Sequence, residues 1–111
     1  MGYDKRRHTR VACEIDSAYQ NLDAPHPEAR VETLTSDLSE GGVRFRAGRF
    51  IPVHNKLLFR FRLPGQKTIE ALAQPAWIRE VPSVSQYEIG AKFLSISDED
   101  RELIRRYVQN F

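Results

Sequence analysis

Residues 36–46 read SDLSEGGVRFR, a short stretch that contains both a turn signal and a strand signal. Residues 43–46 alternate apolar and charged side chains, which is the period of a half-buried β-strand. Residues 30–38 have an extended but mixed pattern, and Gly41 and Gly42 punctuate the chain between the two pieces. The sequence therefore predicts a β-hairpin here.

Period-two segments lie on both sides of this hairpin. Residues 11–19 and 56–63 alternate between apolar and polar side chains, and a last alternation covers residues 87–93. Residues 68–81 indicate one long strand or a bent pair of strands. Pro75 lies within them and requires an edge position or a bulge, because proline has no amide hydrogen to donate.

The pattern changes to a helical period only at the C-terminal end of the chain. Ser97 is a good N-cap and is followed by three acidic residues, which suit the positive end of a helix dipole. Apolar side chains then recur at helical spacing, which predicts an amphipathic α-helix at about residues 98–110. Six short strands and one terminal helix indicate a mainly all-β fold, a six-stranded antiparallel β-barrel covered by that helix.

The size and charge of the chain limit the classes of function. With 111 residues, 41% of them hydrophobic, the chain suits one globular domain, which we place at residues 10–111 after a flexible basic arm at residues 1–9. A net charge of +2 is too small to hold long nucleic acid electrostatically. No apolar run is long enough to span a membrane, and a single cysteine makes a reducing cytoplasm the expected location.

Catalytic residues are not evident in the sequence. The three histidines, His8, His26 and His54, are scattered, and Cys13 lies on the inward phase of the first strand. No pair of these residues has the spacing of metal ligands or of a nucleophile and its base. We therefore expect a protein that is not an enzyme and has neither a metal nor a cofactor.

The N-terminal arm concentrates positive charge in Lys5, Arg6, Arg7 and Arg10. Arginine side chains are planar forks that grip phosphate, or the O6/N7 edge of guanine, with two hydrogen bonds. Arg10 lies next to the first strand, so Arg6 is able to swing back over the barrel. The alternative interpretation is a solubilising basic tail.

The SDLSEGG segment adds groups of a different kind. Asp37 and Ser39 are two residues apart in an extended segment and so project from one face. A carboxylate accepts hydrogen bonds, which matches the N1 and N2 donors of guanine, and Gly41 and Gly42 let a ligand or a loop approach bare backbone. The alternative is a polar turn in which Asp37 or Ser39 caps backbone amides.

Taken together, these residues form the pattern R-x-x-x-R, at Arg6 and Arg10, followed by D-x-S-x-x-G, at Asp37, Ser39 and Gly42. In this order the chain resembles the PilZ domain family, whose members are receptors for the bacterial second messenger cyclic di-GMP. The resemblance implies that the two arginines hold phosphates and guanine Hoogsteen edges. It also implies that Asp37 and Ser39 bind a guanine edge or phosphate and that Gly42 keeps the turn tight.

The resemblance extends over almost the whole chain and raises further candidates. Trp77 near the end of a late strand and the segment YEIGAKF, residues 87–93, are similar to the family pattern. Trp77 is a candidate for stacking on guanine or for packing, and Arg7 for contacting a phosphate or only solvent. Lys5 occupies a position where many members have another arginine, and where the residue type influences whether one ligand or a stacked pair binds.

Two other classes of function compete with a cyclic di-GMP receptor that passes ligand occupancy to a partner protein. The first is a PilZ-fold interaction module, associated with pili or motility, that binds no nucleotide. The second is a single-strand nucleic-acid binder, which we disfavour because Phe45, Phe59 and Phe61 share the inward phase. Four strand arginines are interpreted as solvated, or as docking an acidic partner: Arg44, Arg46, Arg60 and Arg62.

Overall fold

The computed structural model of the protein describes residues 10–25 and 30–110. The predictions for residues 1–9 fall outside these ranges. The strands are β1 Val11–Asn21, β2 Val31–Ser39, β3 Gly42–Ala47, β4 Leu57–Arg62, β5 Thr68–Val81 and β6 Gln86–Ser95. A 3-10 turn covers Pro82–Val84, and the helix α1 covers Asp98–Gln109.

The six strands form one closed barrel in the order β1-β2-β3-β6-β5-β4, and all neighbouring strands are antiparallel. The predicted six-stranded barrel with a C-terminal helix is confirmed. In this order β3 lies diametrically opposite β4. Barrel closure also pairs β3 with β6, and the two strands β4 and β5 lie between them in the sequence.

The core of the barrel is aromatic at its centre. Phe45 of β3 and Phe59 of β4 are both fully buried, with ring centroids 5.0 Å apart. Tyr19 of β1 lies 5.2 Å from the Phe45 ring, and Phe61 is also buried. The inward phase predicted for these residues is confirmed, and it keeps the apolar rings away from the outer surface where a nucleic-acid strand would stack.

The β2–β3 hairpin has Glu40 and Gly41 as its two turn residues, since Ser39 pairs with Gly42. The Ser39 hydroxyl accepts a hydrogen bond from the Gly41 amide at 3.1 Å, as the capping interpretation expected. A Cβ atom added at Gly42 would lie 2.1 Å from the carbonyl oxygen of Ala91 in β6. Glycine is therefore required here because two backbones approach closely.

The long strand β5 is continuous, but it contains irregularities. Its register against β6 shifts between Pro75 and Trp77 and again between Leu72 and Ala73. The predicted bulge at Pro75 is confirmed, because the proline lies at one of these shifts where the ladder is already interrupted.

The helix α1 is tied to the barrel at both its start and its middle. Ser97 accepts a hydrogen bond from the Asp100 amide at 3.1 Å, so its predicted N-cap role is confirmed. Lys67 pairs with Asp100 at 3.1 Å, and Arg105 donates to Glu40 in the hairpin turn at 3.0 Å. Among the described residues, no helix has the length and apolar character needed to cross a bilayer.

Cys13 of β1 packs against the core, and its thiol donates to the Thr35 carbonyl at 3.6 Å. Burial of the sulfur and, secondarily, the charge of Asp37 raise the pKa of the Cys13 thiol from 9.0 to about 11. Both causes disfavour the thiolate. The side chain is consequently a weak nucleophile in the folded protein.

We predict that Gly42→Ala destabilises the barrel by at least about 2 kcal/mol, because its Cβ would collide with backbone that cannot rotate away. Gly48→Ala is the matched control, since nothing lies within 4 Å of a Cβ at that position. Urea unfolding of both variants measures the difference. Equal stability of the two variants would show that β3 and β6 separate at little cost.

We also predict that Cys13 in the folded protein reacts slowly with Ellman's reagent at pH 8. The raised pKa leaves about a hundredfold less thiolate than an unperturbed cysteine would have, and the rate should increase as the pH rises toward 11. The same chain unfolded in urea provides the control. A folded-state rate equal to the unfolded rate at pH 8 would contradict this account.

Candidate ligand-binding site

One row of cross-strand neighbours runs over the outer surface of the barrel. Asp37 of β2 is paired with Arg44 of β3, Arg44 with Gly90 of β6, and Gly90 with Trp77 of β5. Four adjacent strands thus each contribute one residue, and the two ends of the row are about 14 Å apart at the usual strand spacing. We call these four residues the ledge.

Asp37 is held between two arginines. One carboxylate oxygen lies 3.6 Å from Arg10 Nη1 and the other lies 3.7 Å from Arg44 Nη2, and the side chain is 16% exposed. Both distances exceed those of good hydrogen bonds. Among residues 10–25 and 30–110, these neighbours balance the charge of the carboxylate without occupying its acceptor positions by hydrogen bonds.

The charge pattern continues from Arg44 toward β5. Arg44 Nε lies 3.9 Å from Glu88, a carboxylate that is 8% exposed, and Arg79 donates a hydrogen bond to the other oxygen of Glu88. From the residue before β1 to β5 the signs alternate in the order Arg10, Asp37, Arg44, Glu88, Arg79. The pairing holds each side chain by an opposite charge on a neighbouring strand.

Ser39 shares the outward face of β2 with Asp37, because Leu38 between them is fully buried in the core. Its own exposure is only 3%, and its oxygen is engaged by the Gly41 amide. Ser39 therefore orders the turn. Gly42 fits β3 against β6, so both residues shape the backbone beneath Asp37.

Trp77 closes the far end of the ledge. Its indole ring lies against Gly90, where an added Cβ would be 2.2 Å from Nε1, and the residue is 39% exposed. The ring thus rests on bare backbone at Gly90 and is partly exposed elsewhere. Trp77 therefore packs on the barrel, as one of its two interpretations expected, and its exposed part is a flat apolar surface suited to stacking.

The structure brings together Arg10, Asp37 and Trp77 among the residues predicted to form a site. Lys5, Arg6 and Arg7 lie outside the described residues. Arg44 was interpreted as a solvated strand residue or as a contact for an acidic partner; its side chain is 35% exposed, and it also lies between Asp37 and Glu88 of the barrel itself. A two-residue turn at Glu40 and Gly41 would already have placed Arg44 opposite Asp37.

Glu88 was not identified from the sequence, because its position depends on the pairing of β3 with β6.

The ledge offers a carboxylate acceptor, a cationic donor and an aromatic face in one line, which suits a ligand that has donors, negative charge and a planar ring. Within residues 10–25 and 30–110, no three histidine, cysteine or acidic side chains are grouped as a metal ion would require.

Similar folds occur among solved structures. The inhibitor of motility from Bacillus subtilis, MotI/DgrA, aligns with a TM-score of 0.82 over 97% of this chain and 51% of that chain, at 20% identity. The PilZ domain of YcgR from Escherichia coli, solved with c-di-GMP, aligns with a TM-score of 0.68 over 96% of this chain and 91% of that chain, at 14% identity.

YcgR from Escherichia coli in complex with c-di-GMP aligns with a TM-score of 0.73 over 96% of this chain and 46% of that chain, at 15% identity. The chain therefore spans about half the length of MotI/DgrA and of this YcgR chain. At these identities the likeness shows the fold.

A sequence comparison with curated proteins found no match. The model of the PilZ domain family, in contrast, matches residues 4–110, which is nearly the whole chain and includes both motif segments. This protein belongs to the PilZ domain family.

Proposed function

We propose that this domain is a receptor for cyclic di-GMP and that it acts by binding without catalysing a reaction. Membership of the PilZ family supports the proposal, as does the fold shared with the YcgR domain that was solved with c-di-GMP. The observation that carries it is the 3.6 Å pairing of Arg10 with Asp37, which joins the two motif segments at one place on the barrel.

Each group at this place has a counterpart on the ligand. Asp37 accepts from the N1 and N2 donors of a guanine, an edge that arginine is unable to read. Arg6 and Arg10 donate to phosphates and to guanine O6 and N7. Ser39 donates its hydroxyl hydrogen to a guanine edge or a phosphate, and Gly42 keeps tight the turn that follows Asp37.

Residues 1–9 act as an arm that closes over the bound ligand. Ordering the arm costs about 1–2 kcal/mol per residue, so closure without ligand is disfavoured. Each bidentate arginine contact contributes about 1–3 kcal/mol, and these contacts exist only when the ligand is present. Ligand occupancy and arm position are therefore coupled, and a partner protein that contacts the closed arm reads the occupancy.

Three more residues complete the proposed site. Trp77 stacks on a guanine through its exposed part, Arg7 contacts a phosphate, and Gly41 lets the ligand approach the turn. Lys5 influences how many ligand molecules bind, because an ammonium at that position lacks the planar fork of an arginine.

A PilZ-fold interaction module without nucleotide binding is the second candidate. The observation that favours it is the exposure of large apolar side chains, since Leu34 is 50% exposed and Phe50 is 57% exposed. Such side chains are typical of surfaces that contact other proteins. Absence of cyclic di-GMP binding by the folded chain would favour this candidate.

We expect isothermal titration of the full chain to show binding of cyclic di-GMP, and we expect Asp37→Asn or Arg10→Ala to weaken it by about tenfold to a hundredfold. Cyclic di-AMP should bind less tightly than cyclic di-GMP, because adenine lacks the N1 and N2 donors for Asp37. Glu70→Gln is the control. Glu70 also forms an ion pair with an arginine, Arg60 at 2.5 Å, but this pair joins β5 to β4 and includes none of the four ledge residues.

Unchanged affinity in both Asp37→Asn and Arg10→Ala would exclude the proposed site. Equal affinity for the two cyclic dinucleotides would exclude the role of Asp37 in guanine recognition.

Trp77 is the single tryptophan of the chain and so provides a local reporter. We expect saturating cyclic di-GMP to quench its fluorescence, because a stacked guanine covers the exposed part of the indole. The Asp37→Asn variant should require more ligand to reach the same quenching. An emission spectrum that stays constant at ligand concentrations that saturate the calorimetric signal would place Trp77 outside the site.

A further inference from the structure

We propose that Arg44 is a direct ligand contact, a guanidinium that the barrel itself presents to a phosphate of the ligand held above Asp37. Arg44 is not among the motif residues named above. The inference rests on the proposed function and adds to it a contact contributed by the barrel wall. Four properties of Arg44 support the inference: its position on the ledge, its unpaired hydrogen-bond donors, the neighbours that fix its side chain, and its positive charge.

The place of Arg44 is the middle of the ledge. It is the cross-strand neighbour of Asp37 on one side and of Gly90 on the other, and Trp77 follows Gly90. A ligand that contacts Asp37 with one guanine and Trp77 with a base must pass over β3 and β6. Gly90 has no side chain, so Arg44 is the side chain of the ledge that meets the ligand between its two ends.

Arg44 has hydrogen-bonding capacity that the described residues leave unused. Its Nε atom is buried and has no hydrogen-bond partner among them. Its contacts with Asp37 and Glu88, at 3.7 and 3.9 Å, are ion pairs longer than hydrogen bonds. The Nη groups belong to a side chain that is 35% exposed, so they, and not the buried Nε, are the donors that an anionic acceptor brought by a ligand is able to reach.

The neighbours of Arg44 support its position. Glu88 is 8% exposed and accepts a hydrogen bond from Arg79, so the carboxylate that faces Arg44 Nε is itself held. Arg44 extends from the middle of a strand that is paired on both sides. In contrast to a residue on an arm, it therefore loses little conformational freedom when it binds a ligand.

The positive charge of Arg44 reduces the repulsion that Asp37 would otherwise exert on the phosphates of the ligand. Cyclic di-GMP carries two negative phosphates, and Asp37 adds a third negative charge in the same place. Like charges repel strongly where solvent is partly excluded. Arg10 and Arg44 flank Asp37 on its two sides, so the carboxylate is able to read a guanine while each phosphate meets a cation.

The test compares the affinity of the full chain for cyclic di-GMP in Arg44→Ala, Arg44→Lys and Arg62→Ala. Arg62 is an exposed arginine of β4, the strand diametrically opposite β3, so its removal changes the net charge equally without touching the ledge. We expect Arg44→Ala to weaken binding by about tenfold or more, and Arg62→Ala by less than about twofold. Arg44→Lys should restore part of the affinity because it keeps the charge.

Salt dependence separates a ligand contact from a merely structural role. If Arg44 faces a phosphate, Arg44→Ala should bind with a weaker dependence on ionic strength than the wild-type chain and Arg62→Ala. Thermal unfolding of each variant verifies that the barrel is intact. If Arg44→Ala does not fold, Arg44→Lys and Arg44→Gln provide the same comparison, with Gln expected to bind more weakly than Lys.

The outcomes distinguish this inference from the proposed function. A folded wild-type chain that does not bind cyclic di-GMP would overturn the proposed function and this contact with it. Wild-type binding with equal affinities for Arg44→Ala and Arg62→Ala would overturn the Arg44 contact alone. Weakened binding in Arg44→Ala with the salt dependence of the wild type would also overturn it, because the loss would then not involve a phosphate.

Discussion

The antiparallel pairing of β3 with β6 is the contact on which the rest of the structure depends. It places Arg44 beside Gly90 on the outer surface and Phe45 beside Ile89 in the core, because successive residues of paired strands face opposite sides. The same pairing is close enough that Gly42 has no room for a side chain. One register therefore determines both the packing of the core and the order of groups along the ledge.

The ledge shows how a sheet prepares charged groups for an external ligand. Asp37 and Glu88 each lie between two guanidinium groups, which keeps isolated charges from being buried. The contacts of Asp37 are longer than hydrogen bonds, so they balance its charge without occupying its acceptor positions. A ligand with complementary donors and anionic groups is then able to form shorter contacts with side chains that are already in place.

The hairpin turn connects the ledge to the helix. Ser39 orders the turn through the Gly41 amide, and Glu40 in the same turn accepts a hydrogen bond from Arg105 of α1. Asp37 projects from β2 two residues before Ser39. The helix α1, whose Ile104 and Val108 belong to the hydrophobic core, is thus joined by a side-chain contact to the hairpin whose strand β2 carries Asp37.

Local patterns in the sequence predicted much of this arrangement. Period-two alternation predicted the strands and the inward phase of Phe45 and Phe59, and the cap at Ser97 predicted the start of α1, because both signals depend on neighbours close in the chain. The prediction of a small antiparallel barrel followed from six short strands and one terminal helix. The motif residues Arg10 and Asp37 were also identified from the sequence, together with the nucleotide chemistry that they suit.

Tertiary structure decided which residues meet when they do not belong to one hairpin. Asp37 and Arg44 are joined by a short hairpin, so their contact was within the reach of the sequence, but Glu88 and Trp77 reach the ledge only through the pairing of β3 with β6 and of β6 with β5. A strand pattern states which face a side chain occupies and is silent on which strand lies beside it. The partner of each strand is selected when the whole barrel closes around a shared core, and that choice belongs to no local segment.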